Sequence, residues 1–219
     1  GEAVPDPDEL LALARQAGVT KVVQIGCDVD YARHSVEMAR TRPDVVVGVS
    51  VHPNDAARIV ERMHAVIRDK AEVGMPKNEL IADIYHASVF GAEGHWGDYP
   101  AIVPMAPSGM DATAPHLTWD DAPLRAGEST FFEIAGAYRR YQCPQSRTLF
   151  LGKPPQKYLD AEQAVLEAVE AGLAQAKPGQ LCEDIANAFN HTLNQHGFQK
   201  DSRCGYAIGL SYPPDWGER

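Results

Sequence analysis

Two long helix-forming stretches, each followed by a proline-containing turn and a second helix, bracket a run of strands punctuated by Gly and Pro, and this order limits the available folds more than any other feature. Residues 55–74, DAARIVERMHAVIRDKAEVG, place Ile59, Met63, Val66 and Ile67 along one side of a helix. MPKNELIADIYHASVFGAEG follows as a second helix, with Pro76 near its start and Gly91 at its end. The pattern returns after the strands, with PPQKYLDAEQAVLEAVEAGLAQAKPG and then LCEDIANAFNHTLNQHG. Laying LIADIYHAS over LCEDIANAF sets Leu80 against Leu181, Asp83 against Asp184 and Ile84 against Ile185. Either the domain is internally duplicated, or two amphipathic helices share a pattern by chance. Both readings give an α+β architecture. The stretch from YPAIVPMAPSG to TFFEIAGAYRRYQCPQSRTLFLG supplies strands for the first half. The matching hairpin of the second half falls past GYAIGLSYPPDWGER, so the domain is expected to be truncated at its C-terminus.

Before Asn54 the texture differs. DELLALARQA carries Leu10, Leu11, Leu13 and Ala14 on one helical face, with Asp8 as the expected cap and Gly18 as the stop. KVVQIGC reads as a short strand, YARHSVEMART as a helix and DVVVGVSVHP as a second strand. Helix, strand, helix, strand at this spacing predicts a β/α unit with parallel strands. A piece of this size is short of the ~100 residues a domain of that kind normally needs. The boundary is expected between His52 and Met63, giving a fragment over residues 1–57 and a second domain over 58–219.

The chain has 219 residues and a net charge of −10. Such a charge opposes a nucleic-acid partner held through phosphates and leaves room for a small or zwitterionic substrate. Cys27, Cys143, Cys182 and Cys204 are widely spaced with no C-x-x-C pair, a pattern of reduced thiols. No apolar run approaches the ~20 residues that cross a bilayer, and GEAVPDPDEL is unlike a signal peptide. The expectation is a cytoplasmic protein with no membrane partner.

The segments GDYPAIVPMAPSGMDATAPHLTWDD, FFEIAGAYRRYQCPQSRTLFLGKP, KPGQLCEDIANAF and GYAIGLSYPPDWGER together resemble the creatinase/aminopeptidase P superfamily, the pita-bread hydrolases, and within it the ectoine hydrolase branch. AGVTKVVQIGCDVDYARHSVEMARTRPDVVVGVSVHPNDA is similar instead to the TatD-type metal-dependent deoxyribonucleases, including a Gly-x-x-x-His-Pro turn at Gly48 to Pro53. Those enzymes are β/α barrels whose metal ligands have no counterpart in this stretch. The two resemblances together imply an incomplete pita-bread domain preceded by a short β/α fragment, as in a chimeric or truncated reading of two genes. An ordinary N-terminal domain of the hydrolase family is the rival reading.

Metal-dependent pita-bread enzymes hold two ions with two aspartates, one histidine and two glutamates. The resemblance sets Glu133 near the first aspartate, Pro144 at the second and Tyr206 at the histidine, and the two glutamates fall past Arg219. Proline and tyrosine do not supply hard anionic ligands for a divalent pair, so no metal and no other cofactor is expected. The resemblance implies the metal-free branch, with His116 of APHLTW as the proton shuttle and Glu133 orienting it or pairing with a cationic, amidine-like substrate. On its residues alone, His116 reads first as a turn-capping residue, and Glu133 fits an internal ion pair with Arg147 as well as it fits substrate binding. Asp98, Tyr99, Arg147 and Tyr206 are the expected substrate-binding residues, with Asp120 and Asp121 as solvated turn residues. His64, His86, His95, His191 and His196 lack metal-ligand spacing and are expected at the surface or in packing.

The implied function is metal-independent hydrolysis of a non-peptide C–N bond in a small nitrogen-rich compound, such as ring opening of ectoine. The alternatives are a TatD-like metal-dependent deoxyribonuclease, an Xaa-Pro aminopeptidase-like metallopeptidase, or a fragment with no activity of its own. The resemblance also implies a homodimer.

Overall fold

The computed structural model describes residues 6–49, 53–114, 116–206 and 208. The chain forms two compact units, Gly1–Asp55 and Ala56–Arg219.

In the first unit, helix α1 (Pro7–Gln16) is capped by Asp6, whose carboxylate accepts the Asp8 N–H at 2.8 Å. The cap therefore lies two residues ahead of the expected Asp8. Asp8 sits in the first turn and accepts two bonds from the Arg42 guanidinium, at 2.7 and 2.9 Å. Those bonds hold its carboxyl below the usual carboxylate range. Strands β1 (Val22–Gly26) and β2 (Val45–Val49) pair in parallel, Val22 against Val45, with helix α2 (Val29–Thr41) as the crossover. Of the apolar α1 side chains only Leu11 is buried, while Leu10 and Leu13 are exposed, as are Val23, Val46 and Val49 on the strands. Two strands and two helices enclose too little volume to cover both faces of the sheet.

The second unit is organised by a hairpin of β3 (Ser129–Tyr138) and β4 (Tyr141–Phe150), in register from Ser129 with Phe150 to Tyr138 with Tyr141. Successive residues point to opposite faces. One face, with Phe132 and Ile134, packs on helices α3 (Pro53–Lys70) and α4 (Lys77–Phe90) through Ile59, Met63, Ile67, Leu80 and Ile84. Burial of each large aliphatic side chain contributes roughly 1.5–3 kcal/mol. Val60 joins this core, next to the stripe read from the sequence, because Gly136 lets α3 approach the hairpin backbone closely. Helix α4 follows a bend at Gly74–Pro76 and ends at Gly91, whose φ of 79° is one that glycine adopts without strain.

The hairpin turns on two residues, Arg139 and Arg140, with φ of 48° and 72°. Both positive angles match the twist of a two-residue connection, usually met by Asn-Gly. Here the Arg140 guanidinium lies 3.7 Å from the Tyr99 ring centre and 3.5 Å from Asp98, which holds the strained turn.

The opposite edge of β3 pairs with the segment at Met105 and Ser108, facing Glu133 and Thr130 respectively. Glu133 exchanges bonds with Met105 at 3.0 and 3.3 Å, so its N–H points away from β4. Alternation along the antiparallel ladder then makes Ala135 and Pro144 a pair without mutual hydrogen bonds. The missing N–H of Pro144 would have faced outward from the hairpin, which is where a strand tolerates proline.

Helices α5 (Gln156–Gln175) and α6 (Cys182–Gln195) pack on each other through Ala164, Ala168 and Leu193, with Gly172 beside Ile185 and Phe189. The residues aligned between α4 and α6 occupy different roles. Leu80 is buried, whereas Leu181 lies exposed at the N-terminus of α6. Asp83 pairs with Lys70 at 2.7 Å, whereas Asp184 accepts the Leu181 N–H at 2.9 Å. No helix among the described residues is long and apolar enough to cross a membrane.

Candidate functional site

The two residues expected to do the chemistry lie on segments that border the same stretch, Met105–Ala106. Glu133 is half-buried on the face opposite α3 and α4, beside Met105 and Ala135. Its neighbour across the ladder is Ser146. His116 lies in the loop that leaves Ser108 through a 3₁₀ turn, Gly109–Thr113, and returns at Thr118. There the Thr118 carbonyl accepts the Ala106 N–H at 3.2 Å, one residue from the Met105 that bonds Glu133. Two adjoining backbone ladders thus connect the histidine loop to the glutamate strand. His116 is exposed and has a φ of 65°, a left-handed conformation uncommon for a residue with a Cβ. Retention of such a conformation is typical of positions where the surroundings fix a side chain for use.

Arg147 does not join them. It faces Phe132 across the ladder and therefore shares the α3 face, while Glu133 faces Ser146 on the other. The register speaks against the rival reading of a Glu133–Arg147 ion pair: with a side-chain period of two, adjacent register positions project to opposite sides. Arg147 donates instead to the Ser146 carbonyl at 2.7 Å. Asp98 and Tyr99 are also engaged elsewhere. The Asp98 N–H bonds the Ala137 carbonyl at 2.9 Å, four residues along the strand from Glu133, a distance of roughly 13 Å. Both side chains contact Arg140 at the hairpin turn. Tyr206 is exposed in irregular backbone after α6.

Two side-chain environments around the hairpin had little signal in the sequence. Asp120, expected as a solvated turn residue, bonds the ammonium of Lys77 at 2.8 Å, and that lysine side chain is only 5% exposed. The Lys77 bond holds the Asp120 carboxyl below its usual range. His64 is the second. It is buried on α3 against β4, and burial, with Arg147 and Arg68 nearby, lowers its pKa to about 4 despite a bond to the Gln145 carbonyl. His86 and His191 lie exposed on helices, His95 is half-buried with its ring edge-on to Tyr138, and His196 bonds Glu167 at 2.8 Å.

The ring of Pro144 has no donor atom, and among the described residues no three His, Cys, Asp or Glu side chains converge on a common point. The described residues do not fit a two-metal centre.

Residues 2–84 match the TatD related DNase family and residues 53–217 match metallopeptidase family M24. The chain is 54% identical over 170 residues to the ectoine hydrolase of Halomonas elongata, covering 75% of this chain and 43% of that one. It is 37% identical over 165 residues to an uncharacterized hydrolase/peptidase of Sinorhizobium fredii, covering 75% and 42%. The chain thus spans under half the length of these relatives. Among solved structures, the prolidase from Pyrococcus furiosus superposes with a TM-score of 0.65 at 18% identity, over 97% of this chain and 66% of that one. The X-Pro aminopeptidase from Thermotoga maritima gives 0.62 at 19% identity, over 93% and 61%. This likeness shows the fold, a partial α+β domain of the pita-bread type, as the resemblance implied. With the family match running from the start of α3 through Tyr206, the hairpin, its helix pairs and the histidine loop identify the chain as a member of metallopeptidase family M24.

Proposed function

We propose that this chain carries the acid–base centre of a hydrolase that opens a non-peptide C–N bond in a small nitrogen-rich compound, with the cyclic amidine ectoine as substrate. The 54% identity to ectoine hydrolase, over 75% of this chain, is the observation that carries this reading. The His116 imidazole takes a proton from water as the water oxygen bonds the amidine carbon. The same imidazolium then gives its proton to the ring nitrogen as the C–N bond breaks, leaving an N-acetylated diaminobutyrate. Glu133 pairs with the amidinium, or orients the imidazole, through a charge-assisted bond. Tyr206 lines the substrate in this reading, and no metal takes part, in keeping with Pro144 at a ligand position.

Incubation of the chain with ectoine, before and after treatment with EDTA, tests the proposal. The expected result is ring-opened product at equal rates in both samples. No product ends the ectoine reading, and product lost with EDTA ends the metal-free one. The match of residues 2–84 to TatD related DNases favours a second reading, metal-dependent DNA cleavage. Cleavage of DNA in the presence of Mg²⁺ or Mn²⁺ would support it, and DNA left intact ends it. The proposal includes a homodimer in the cytoplasm, and light scattering on the purified chain gives the subunit number.

A further inference from the structure

The loop that bears His116 is fastened at both ends. Its leading end is held to β3 by the Met105–Glu133 and Ser108–Thr130 pairings, reinforced by a 2.8 Å bond between the Ser108 and Thr130 hydroxyls. Its trailing end runs beside the bend before α4. The Lys77 N–H bonds the Ala122 carbonyl at 3.1 Å, the Leu124 N–H bonds Met75 at 2.9 Å, and the Gly74 N–H bonds Leu124 at 2.9 Å. Within this second ladder the Lys77 ammonium, 5% exposed, reaches Asp120 at 2.8 Å. Asp120 is four residues past His116, and it also accepts the Ala122 N–H at 2.9 Å. The two ends of the loop border an open cleft of about 220 Å³, walled in part by Lys77, Ser108, Asp111, Asp120 and Glu128.

We propose that Lys77 is a positioning residue for the acid–base chemistry: its enclosed ammonium, bonded to Asp120, fixes the loop that carries His116. This role rests on the reading of His116 as the proton shuttle. A lysine this enclosed is retained only when its charge is matched. Asp120 is its partner, and the backbone ladder alone would be served equally by any residue with an N–H. The left-handed backbone at His116 needs such outside support, because an untethered loop relaxes to an ordinary angle.

The test uses Lys77→Met, Lys77→Arg and the exchanged pair Lys77→Asp/Asp120→Lys in the whole chain. Amide hydrogen exchange over residues 109–121 is measured beside that of the core amides of Ile81 and Phe132. In Lys77→Met, exchange in the loop is expected to rise about tenfold or more with the core unchanged, as loss of a charge pair enclosed at the lysine and half-exposed at Asp120 would produce. Lys77→Arg is expected to restore protection, and ectoine turnover is expected to lose kcat with little change in KM. Unchanged loop exchange in Lys77→Met overturns the proposal. So does an equal rise in loop and core, which marks a merely structural lysine and is checked against Lys77→Arg. A wild-type chain that does not turn over ectoine removes the proposed function alone, because the loop measurement needs no catalysis.

Discussion

Gly136 of β3 lies against the backbone of Val60 on α3, so closely that a Cβ built on the glycine would stand 2.7 Å from the Val60 nitrogen. The obstructing atoms are backbone, on a helix whose neighbouring side chains are fully buried, and neither element is free to move aside. Gly136→Ala is expected to destabilise the second unit by about 1–3 kcal/mol, the usual cost of overpacking. Denaturant unfolding followed by circular dichroism measures it. A loss below ~0.5 kcal/mol would show that α3 is not seated on the hairpin at this point.

His64 makes stability depend on acidity. Its pKa in the folded chain is about 4, against 6.5 for the free side chain, chiefly because burial disfavours the cation. Between those two values the unfolded chain binds more protons than the folded one, so stability rises with pH across the window. It is fully present above pH 6.5 and is lost as the pH falls toward 4. The full difference corresponds to about 3 kcal/mol. In His64→Gln the slope between pH 6.5 and 4 is expected to flatten by that amount in urea titrations.

At His116 backbone and side chain can be separated. Asparagine accepts a left-handed φ more readily than most residues, and it cannot relay a proton. His116→Asn is expected to leave the unfolding free energy within ~0.5 kcal/mol of wild type. Under the proposed function it should lower kcat by about 10²–10⁴. Ectoine turnover at the wild-type rate in this variant would remove His116 from the chemistry.

The placement of Glu133 and Arg147 on opposite faces of one hairpin has its own thermodynamic signature. A double-mutant cycle with Glu133→Gln and Arg147→Met is expected to give a coupling energy below about 0.5 kcal/mol. Only Glu133→Gln is expected to abolish turnover. A coupling of 1 kcal/mol or more would place the two side chains in contact after all.

The sequence made regular elements easy to read and side-chain partnerships hard. The apolar stripe of Ile59, Met63 and Ile67 revealed α3 and its buried face, since a helical period leaves its trace in one dimension. Register leaves no such trace. Whether Glu133 faces Ser146 or Arg147 depends on the two-residue turn at Arg139 and Arg140, which lacks the glycine or asparagine that usually announces one. Lys77 and Asp120 are 43 positions apart, and each alone looks like an ordinary surface charge. Leu80 and Leu181 show the converse. Matching letters in similar helices came to lie in a core and on a surface, because burial is decided by what packs against a helix.

Pro144 has one more effect, on the outer rim of β4. The N–H groups directed outward there belong to Gln142, Ser146, Thr148 and Phe150, with a gap where the proline ring stands. A chain docking along that rim would meet donors on either side of the gap and none within it. Its own carbonyl at that level would be left dry and unsatisfied, so only a partner with a bulge, a bound water or a bend at that level could dock there without loss. Among the described residues no strand pairs with that ten-residue border, and the same proline discourages indiscriminate strand addition along it.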